Sequence, residues 1–261
     1  MKDLCTSVQT IAEEAGDILM SFYKKSTLEI EKKADKTPVT EADIAASDYI
    51  IERISRLTPD IPILCEETPA PTLEERQQWT KYWCIDPLDG TKEFIHQTGE
   101  FTINIALIEN HQPILSVLHA PALDETFWAI KGEGAWSKNK QLGPNQPEVP
   151  YTCLVSRFHS SSRLMEMLNQ HLNFEPFICG SALKFARVAQ GVGDLYVRGG
   201  PTSEWDTAAG QLIVEESGGQ VLDFHGKTLQ YNTKKDLINP SFIASSTRDE
   251  LWTTLLKKCT T

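Results

Sequence analysis

Apolar residues recur at steps of three and four from Leu4 through Val8, Ile11, Ala15, Ile18, Leu19 and Phe22, a spacing that predicts an amphipathic helix over 3–24 with this face against a core. Dense charge from Glu29 to Lys36 interrupts it. A second helix is then expected to reach Leu57, with Ile44, Ser47, Ile51, Ile54 and Leu57 toward one side; it starts at Thr37-Pro38 or at Thr40, three residues ahead of Asp43. Beyond Asp60 the period changes to two. Short strands are predicted over 61–65, 82–85, 101–107, 114–119, 125–130 and 134–137. The charged stretch 68–78 reads as a surface connection.

Three prolines and a glycine between Gly143 and Pro150 can sustain neither a helix nor a ladder, so they divide the chain into 1–143 and 144–261. The second part alternates: strand 152–156, helix 162–169, strand 177–179, helix 181–190, strand 195–198, helix 206–217 closed by Gly218-Gly219, and strand 220–223. This order is that of an α/β (α+β) protein. No apolar run approaches the roughly 20 residues that cross a bilayer, and no apolar segment follows the first charges as a secretory signal requires. The six cysteines are scattered without a Cys-x-x-Cys pair, which predicts buried, reduced thiols in a cytoplasmic protein. A net charge of -11 argues against a nucleic-acid-binding surface. It leaves room for a small anionic substrate, because cations held by clustered carboxylates reverse the local sign.

The chemistry concentrates at Trp83-Cys84-Ile85-Asp86-Pro87-Leu88-Asp89-Gly90-Thr91. A strand that stops at Asp86 and turns through Pro87 would point both carboxylates and the Leu88 carbonyl into one small volume, leaving the Gly90 and Thr91 amides for an anion. Hard divalent cations take oxygen ligands of this kind. Alone, the same string is also ordinary turn chemistry. Two further acids are placed to join it. Glu66 ends the strand at 61–65, and Asp206 precedes Thr207-Ala208-Ala209-Gly210, where a helix cap is the plainer reading.

Taken in order, Glu66-Glu67, then Asp86 to Thr91, then Trp205-Asp206 before a small-residue helix ending in Glu216-Ser217-Gly218-Gly219, the chain resembles the inositol monophosphatase superfamily of metal-dependent phosphatases over nearly its whole length. The resemblance implies a layered αβαβα sandwich. It also implies two or three Mg²⁺ ions held by Glu66, Asp86, the Leu88 carbonyl, Asp89 and Asp206, of which Glu66, Leu88, Asp89 and Asp206 would also meet the substrate. The chemistry of the donors agrees, since such ions ionise water and neutralise a phosphoryl group. By the same resemblance Thr91, backed by Asp43, orients and deprotonates the attacking water, although a carboxylate at Asp43 could equally cap the second helix. The Gly90 and Thr91 amides would hold phosphate oxygens.

Within the superfamily, Thr91-Lys92-Glu93-Phe94, Val155-Ser156-Arg157-Phe158-His159, Gly180 to Phe185 and Trp205 to Gly210 are most similar to the 3'(2'),5'-bisphosphate nucleotidase branch linked to sulfate assimilation. That branch implies hydrolysis of the 3'-phosphate of adenosine 3',5'-bisphosphate to AMP and phosphate by direct attack of water. It further implies 3'-phosphoadenosine 5'-phosphosulfate as a second substrate, sensitivity to lithium, and a cytoplasmic location with the inner face of the cell membrane as the alternative. Ser181 and Lys184 would lie near the ribose and the non-scissile phosphate, Arg198 near that phosphate or the base, and His159 near the adenine. Against these stand plainer readings, a solvated lysine and a structural histidine. Cys65, Ala182 and Phe158 depart from the branch's usual residues and bear on substrate fit. Two other functions compete: the same chemistry on inositol monophosphate or another small phosphate ester, and a non-catalytic regulatory protein that binds metal or anion. Lys92-Glu93 and Ser181-Ala182-Leu183-Lys184 favour the nucleotide.

Overall fold

The computed structural model describes residues 1–29, 38–158 and 162–259. Two long helices, α1 (Lys2–Glu29) and α2 (Pro38–Leu57), precede a seven-stranded sheet of β1 (Ile63–Cys65), β2 (Lys81–Asp89), β3 (Thr102–Glu109), β4 (Gln112–Ala120), β5 (Glu125–Ile130), β6 (Gly134–Ser137) and β7 (Lys140–Leu142). Its spatial order follows the chain, with β1 parallel to β2 and the rest antiparallel. Short helices α3 (Leu73–Arg76) and α4 (Thr91–Ile95) flank β2. The second sheet contains β8 (Tyr151–Val155), β9 (Phe174–Ile178), β10 (Leu195–Arg198), β11 (Gln220–Asp223) and β12 (Phe242–Ser245), in the order β11-β12-β10-β8-β9. Helices α5 (Ser162–His171), α6 (Leu183–Gln190), α7 (Glu204–Glu216) and α8 (Glu250–Cys259) complete the fold.

Strand side chains alternate between faces, and here both faces are buried. On β2, Tyr82 and Cys84 join one core while Trp83 and Ile85 join another; on β3, Ala106 and Ile108 part in the same way from Ile103, Ile105 and Leu107. One core lies between the first sheet and the α1–α2 pair. A second, holding Phe185, Ala208, Ala209 and Leu212, fills the space between the two sheets around α6 and α7. The third packs Leu164, Leu168, Trp252 and Leu255 of α5 and α8 on the far face of the second sheet. The layers therefore run α1/α2, sheet, α6/α7, sheet, α5/α8: the αβαβα sandwich. The 143–150 link joins the two sheets, yet α7 crosses back to pack on the first, so both parts of the chain build the central core.

Several expectations need correction. The strand at Asp86 does not stop there but continues to Asp89 through a bulge. The connection at 68–78 contains α3, closed at its start by a Thr72–Glu75 capping box, and its Arg76 is buried. A guanidinium can be buried there because Pro71 O, Asn232 Oδ1 and Lys235 O accept from it. The strand expected at 177–179 is β9, which begins at Phe174 and pairs along β8, and α7 begins at Glu204 rather than Asp206. Beyond Asp223 the structure adds β12 and α8, and β7 precedes the link; strands of three or four residues are too short for a periodic signal. Thr37 and His159 lie outside the described residues. No helix among the described residues is long and apolar enough to cross a membrane.

Candidate metal centre and active site

The bulge in β2 explains how two acids three residues apart come to share a face. Asp86 pairs with Asn104 and Asp89 with Thr102, so three steps along β2 oppose two along β3. Without the extra residue Asp86 and Asp89 would point to opposite sides of the sheet. The turn within the bulge is closed by Asp86 itself, whose Oδ1 accepts from the Leu88 N–H at 2.9 Å. Gly90 then takes a φ of +94° to start α4, and a side chain there would also meet Ser181 Cβ at 3.0 Å and Phe101 Cα at 3.2 Å.

Glu66 follows β1, whose parallel pairing with β2 sets Cys65 opposite Ile85 and so carries Glu66 alongside Asp86. Asp206 arrives from across the cleft in the first turn of α7, where its Oδ2 accepts from the Ser203 N–H at 2.8 Å. Carboxylate oxygens of Glu66, Asp86 and Asp206 lie within 4.8 Å of one another. Asp89 stands beside them with one oxygen turned to the second half of the chain, accepting from the Ala182 N–H at 2.5 Å. A cavity of about 300 Å³ opens over the group. Glu66, Asp86, Leu88, Asp89, Gly90, Thr91 and Asp206 line one side of it; Ser181, Lys184 and Arg198 line the other.

The electrostatics are those of an uncompensated acidic site. Burial first, then Glu66, Asp89 and Asp206, push the Asp86 carboxyl well above the carboxylate range. Burial and Asp89 raise Asp206 to about 8, and the same two causes raise Glu66. Asp89 is also raised by burial, with Lys184 and the Ala182 N–H pulling the other way. Clustered carboxylates that repel one another are stabilised by a multivalent cation, so this donor set fits a hard divalent metal. Glu66, Asp86, Asp89 and Asp206, with the Leu88 carbonyl, could hold it.

Helix α2, which carries Asp43, packs on α4, which begins at Thr91, and no hydrogen bond joins the two side chains among the described residues. Asp43 lies six residues into α2, past the positions where a carboxylate caps a helix, which removes that alternative. Burial, Glu67 and Glu66 raise it to about 8. Lys184 is buried rather than solvated: its Nζ donates to Ser181 O at 2.5 Å and Cys179 O at 3.4 Å, and sits 4.9 Å from the Tyr196 ring centre. Ser181, at φ +45°, accepts from the Leu183 N–H and the Thr102 hydroxyl. Arg198 donates to Ser156 Oγ at 3.4 Å and Pro201 O at 3.3 Å.

Two cavity residues escape the sequence reading: Tyr196, which looks like a core position of β10, and Thr202, in the loop before α7. Glu93 and Ser156, quoted there only within matching strings, also line the cavity, and Glu93 is buried.

The comparisons with known proteins agree with this geometry. A family model described as the inositol monophosphatase family matches residues 2–260. The 3'(2'),5'-bisphosphate nucleotidase CysQ of Salmonella typhimurium is 46% identical over 237 residues, 89% of this chain and 95% of that protein. That of Aggregatibacter actinomycetemcomitans is 41% identical over 256 residues, 95% of each chain. The crystal structure of CysQ from Bacteroides thetaiotaomicron superimposes with a TM-score of 0.83 at 32% identity, covering 95% of this chain and 99% of that one. An inositol monophosphatase from Anabaena gives 0.79 at 26%, covering 99% and 96%. With the sandwich and the acidic cluster both in place, the chain belongs to the inositol monophosphatase family.

Proposed function

We propose that this protein is a Mg²⁺-dependent phosphatase that removes the 3'-phosphate of adenosine 3',5'-bisphosphate, leaving AMP and phosphate. The observation that carries the reading is the convergence of Glu66, Asp86 and Asp206 within 4.8 Å at the floor of a cavity whose opposite wall holds Lys184 and Arg198. Relatives at 41% and 46% identity that bear the nucleotidase name support the substrate.

Glu66, Asp86, the Leu88 carbonyl, Asp89 and Asp206 would hold two or three Mg²⁺ ions, which would supply positive charge against the phosphoryl oxygens and lower the pKa of water. The residues themselves do the rest. Asp86, buried beside Glu66 and Asp206, would be among the oxygens that hold the ions. The Ala182 N–H holds Asp89 in one orientation. Gly90 and Thr91 present backbone N–H groups and a hydroxyl to the cavity, suited to phosphate oxygens and to the entering water. Thr91, backed by Asp43, would orient that water and take up its proton. Ser181 faces the ribose, and Lys184 and Arg198 place positive potential near the second phosphate; the Ser181 and Cys179 carbonyls take two of the three Lys184 ammonium donors. Cys5, Cys65, Cys84, Cys153 and Cys179 are free and buried, which supports a reducing, cytoplasmic setting.

Phosphate release from adenosine 3',5'-bisphosphate and from inositol 1-phosphate, measured side by side with magnesium chloride, tests the substrate. The expected result is a higher kcat/KM for the nucleotide. A tenfold preference for the inositol ester, about 1.4 kcal/mol in transition-state binding, would overturn the assignment.

A further inference from the structure

Arg76 is a buried cation far from the chemistry, and what it touches is informative. It lies in the β1–β2 connection, ten residues after Glu66. Its Nη1 donates to Asn232 Oδ1 at 2.5 Å and its Nη2 to Lys235 O at 2.9 Å, while Asn232 Nδ2 returns a bond to Arg76 O at 2.7 Å. Arg76 and Asn232 are 2% and 1% exposed. The segment they grip, 231–239, straps the start of α7. The Asn232 N–H donates to Glu204 Oε2 at 2.8 Å, the Glu204 N–H to Leu237 O at 2.8 Å, and Asn239 Nδ2 to Ser203 O at 2.6 Å and Thr207 Oγ1 at 3.0 Å. Asp206 sits in the middle of this strapped turn.

We infer that Arg76, Asn232 and Glu204 are positioning residues: a buried lock that holds the connection beginning at Glu66 in register with the helix turn carrying Asp206, and so sets the affinity of the acidic site for its cation. Glu66 and Asp206 come from elements 140 residues apart, and among the described residues no hydrogen bond joins the two carboxylates directly. The lock spans the same two elements on the protein side. Its Arg76–Asn232 bonds are buried and reciprocal, and the Arg76 and Glu204 charges strengthen the bonds they make, the kind that hold an orientation. Groups behind a ligand that fix its placement typically change metal affinity by about 10–100-fold when lost. The inference rests on the metal-site reading above.

The test uses Asn232→Gly and Arg76→Lys. Asn232 has φ +57°, which glycine adopts freely, so the first variant keeps the backbone N–H to Glu204 and deletes only the bonds to Arg76. The second keeps the charge and removes the fork. Thr126→Val, which breaks a buried Glu13–Thr126–His119 network remote from the site, is the control for general loosening. Magnesium chloride is titrated into metal-free protein and followed by tryptophan fluorescence, Trp205 adjoining Asp206, alongside the melting temperature without metal. The expected result is a magnesium midpoint raised about tenfold or more in both lock variants, near-normal kcat at saturating magnesium, and an unmoved midpoint in Thr126→Val. Lock variants that melt earlier but keep the wild-type midpoint would overturn the lock alone. A wild-type protein indifferent to magnesium would overturn the metal site and the lock together. If Arg76→Lys does not fold, Asn232→Gly decides.

Discussion

Gly210 lies one turn after Asp206 where α7 crosses α6, and a methyl group there would stand 2.4 Å from Phe185 Cγ, 2.5 Å from Cδ2 and 2.6 Å from Cβ. The ring cannot swing aside, because it is stacked on Phe242 at 5.6 Å and met edge-on by Tyr196 at 5.2 Å, all three being buried. Gly210→Ala therefore forces the helices apart. Overpacking of this kind costs about 1–3 kcal/mol, and a rigid, three-ring neighbour puts the cost at the upper end. Alanine returns about 1 kcal/mol through its better helix propensity. The net loss is about 2 kcal/mol, and with an unfolding entropy near 0.5 kcal/mol per kelvin for a chain of this length the melting temperature falls by about 4 °C. Because α7 carries Asp206, the variant should also bind magnesium more weakly. Scanning calorimetry of metal-free and magnesium-loaded protein checks both effects. An unchanged or raised melting temperature would refute the packing argument at this crossing.

The acidic site should make the metal-free protein pH-sensitive. Burial raises Asp43 and Asp206 to about 8 and Glu204 to about 7, so between roughly pH 4 and 8 the folded chain binds protons that the unfolded chain has released. Stability without metal then falls as pH rises through that window, by at most about 1.4 kcal/mol per unit for each such group, and magnesium stabilises more at pH 8 than at pH 6. Melting curves at the two values test this; a metal-free protein that gains stability with pH contradicts it. Burial pushes the thiols of Cys5, Cys65 and Cys179 up to about 11 and that of Cys153 up to about 12. These should resist iodoacetamide at pH 8 in the native protein and react in urea. Peptide mapping that finds them alkylated at the rate of an exposed thiol would show the cores to be open.

Much of this could be read from residues alone, and what could not has a physical reason. The strand over 101–107 is visible because Phe101-Thr102-Ile103-Asn104-Ile105 alternates with period two. The pairing of Asp86 with Asp89 is visible as composition, but not the bulge that puts them on one face, since a bulge is decided by the partner strand. Arg76 looks like surface charge because its acceptor Asn232 is 156 residues away. Lys184 can be placed on a helix near the site, yet its enclosure depends on the left-handed Ser181 that turns a carbonyl onto it. The Asp43–Thr91 pair is carried by family resemblance; the neighbourhood of Asp43 also includes Glu66 and Glu67, two acids brought from the end of β1.

The function rests on one assembly: four acids from three separated parts of the chain acting as a cation site for phosphate hydrolysis. Asp86→Asn keeps the shape of the most enclosed of them and removes its charge. Magnesium-dependent phosphate release from adenosine 3',5'-bisphosphate should fall by at least about a hundredfold in this variant, about 2.7 kcal/mol, with the fold retained by circular dichroism. Undiminished hydrolysis by folded Asp86→Asn would contradict the metal centre and the function built on it.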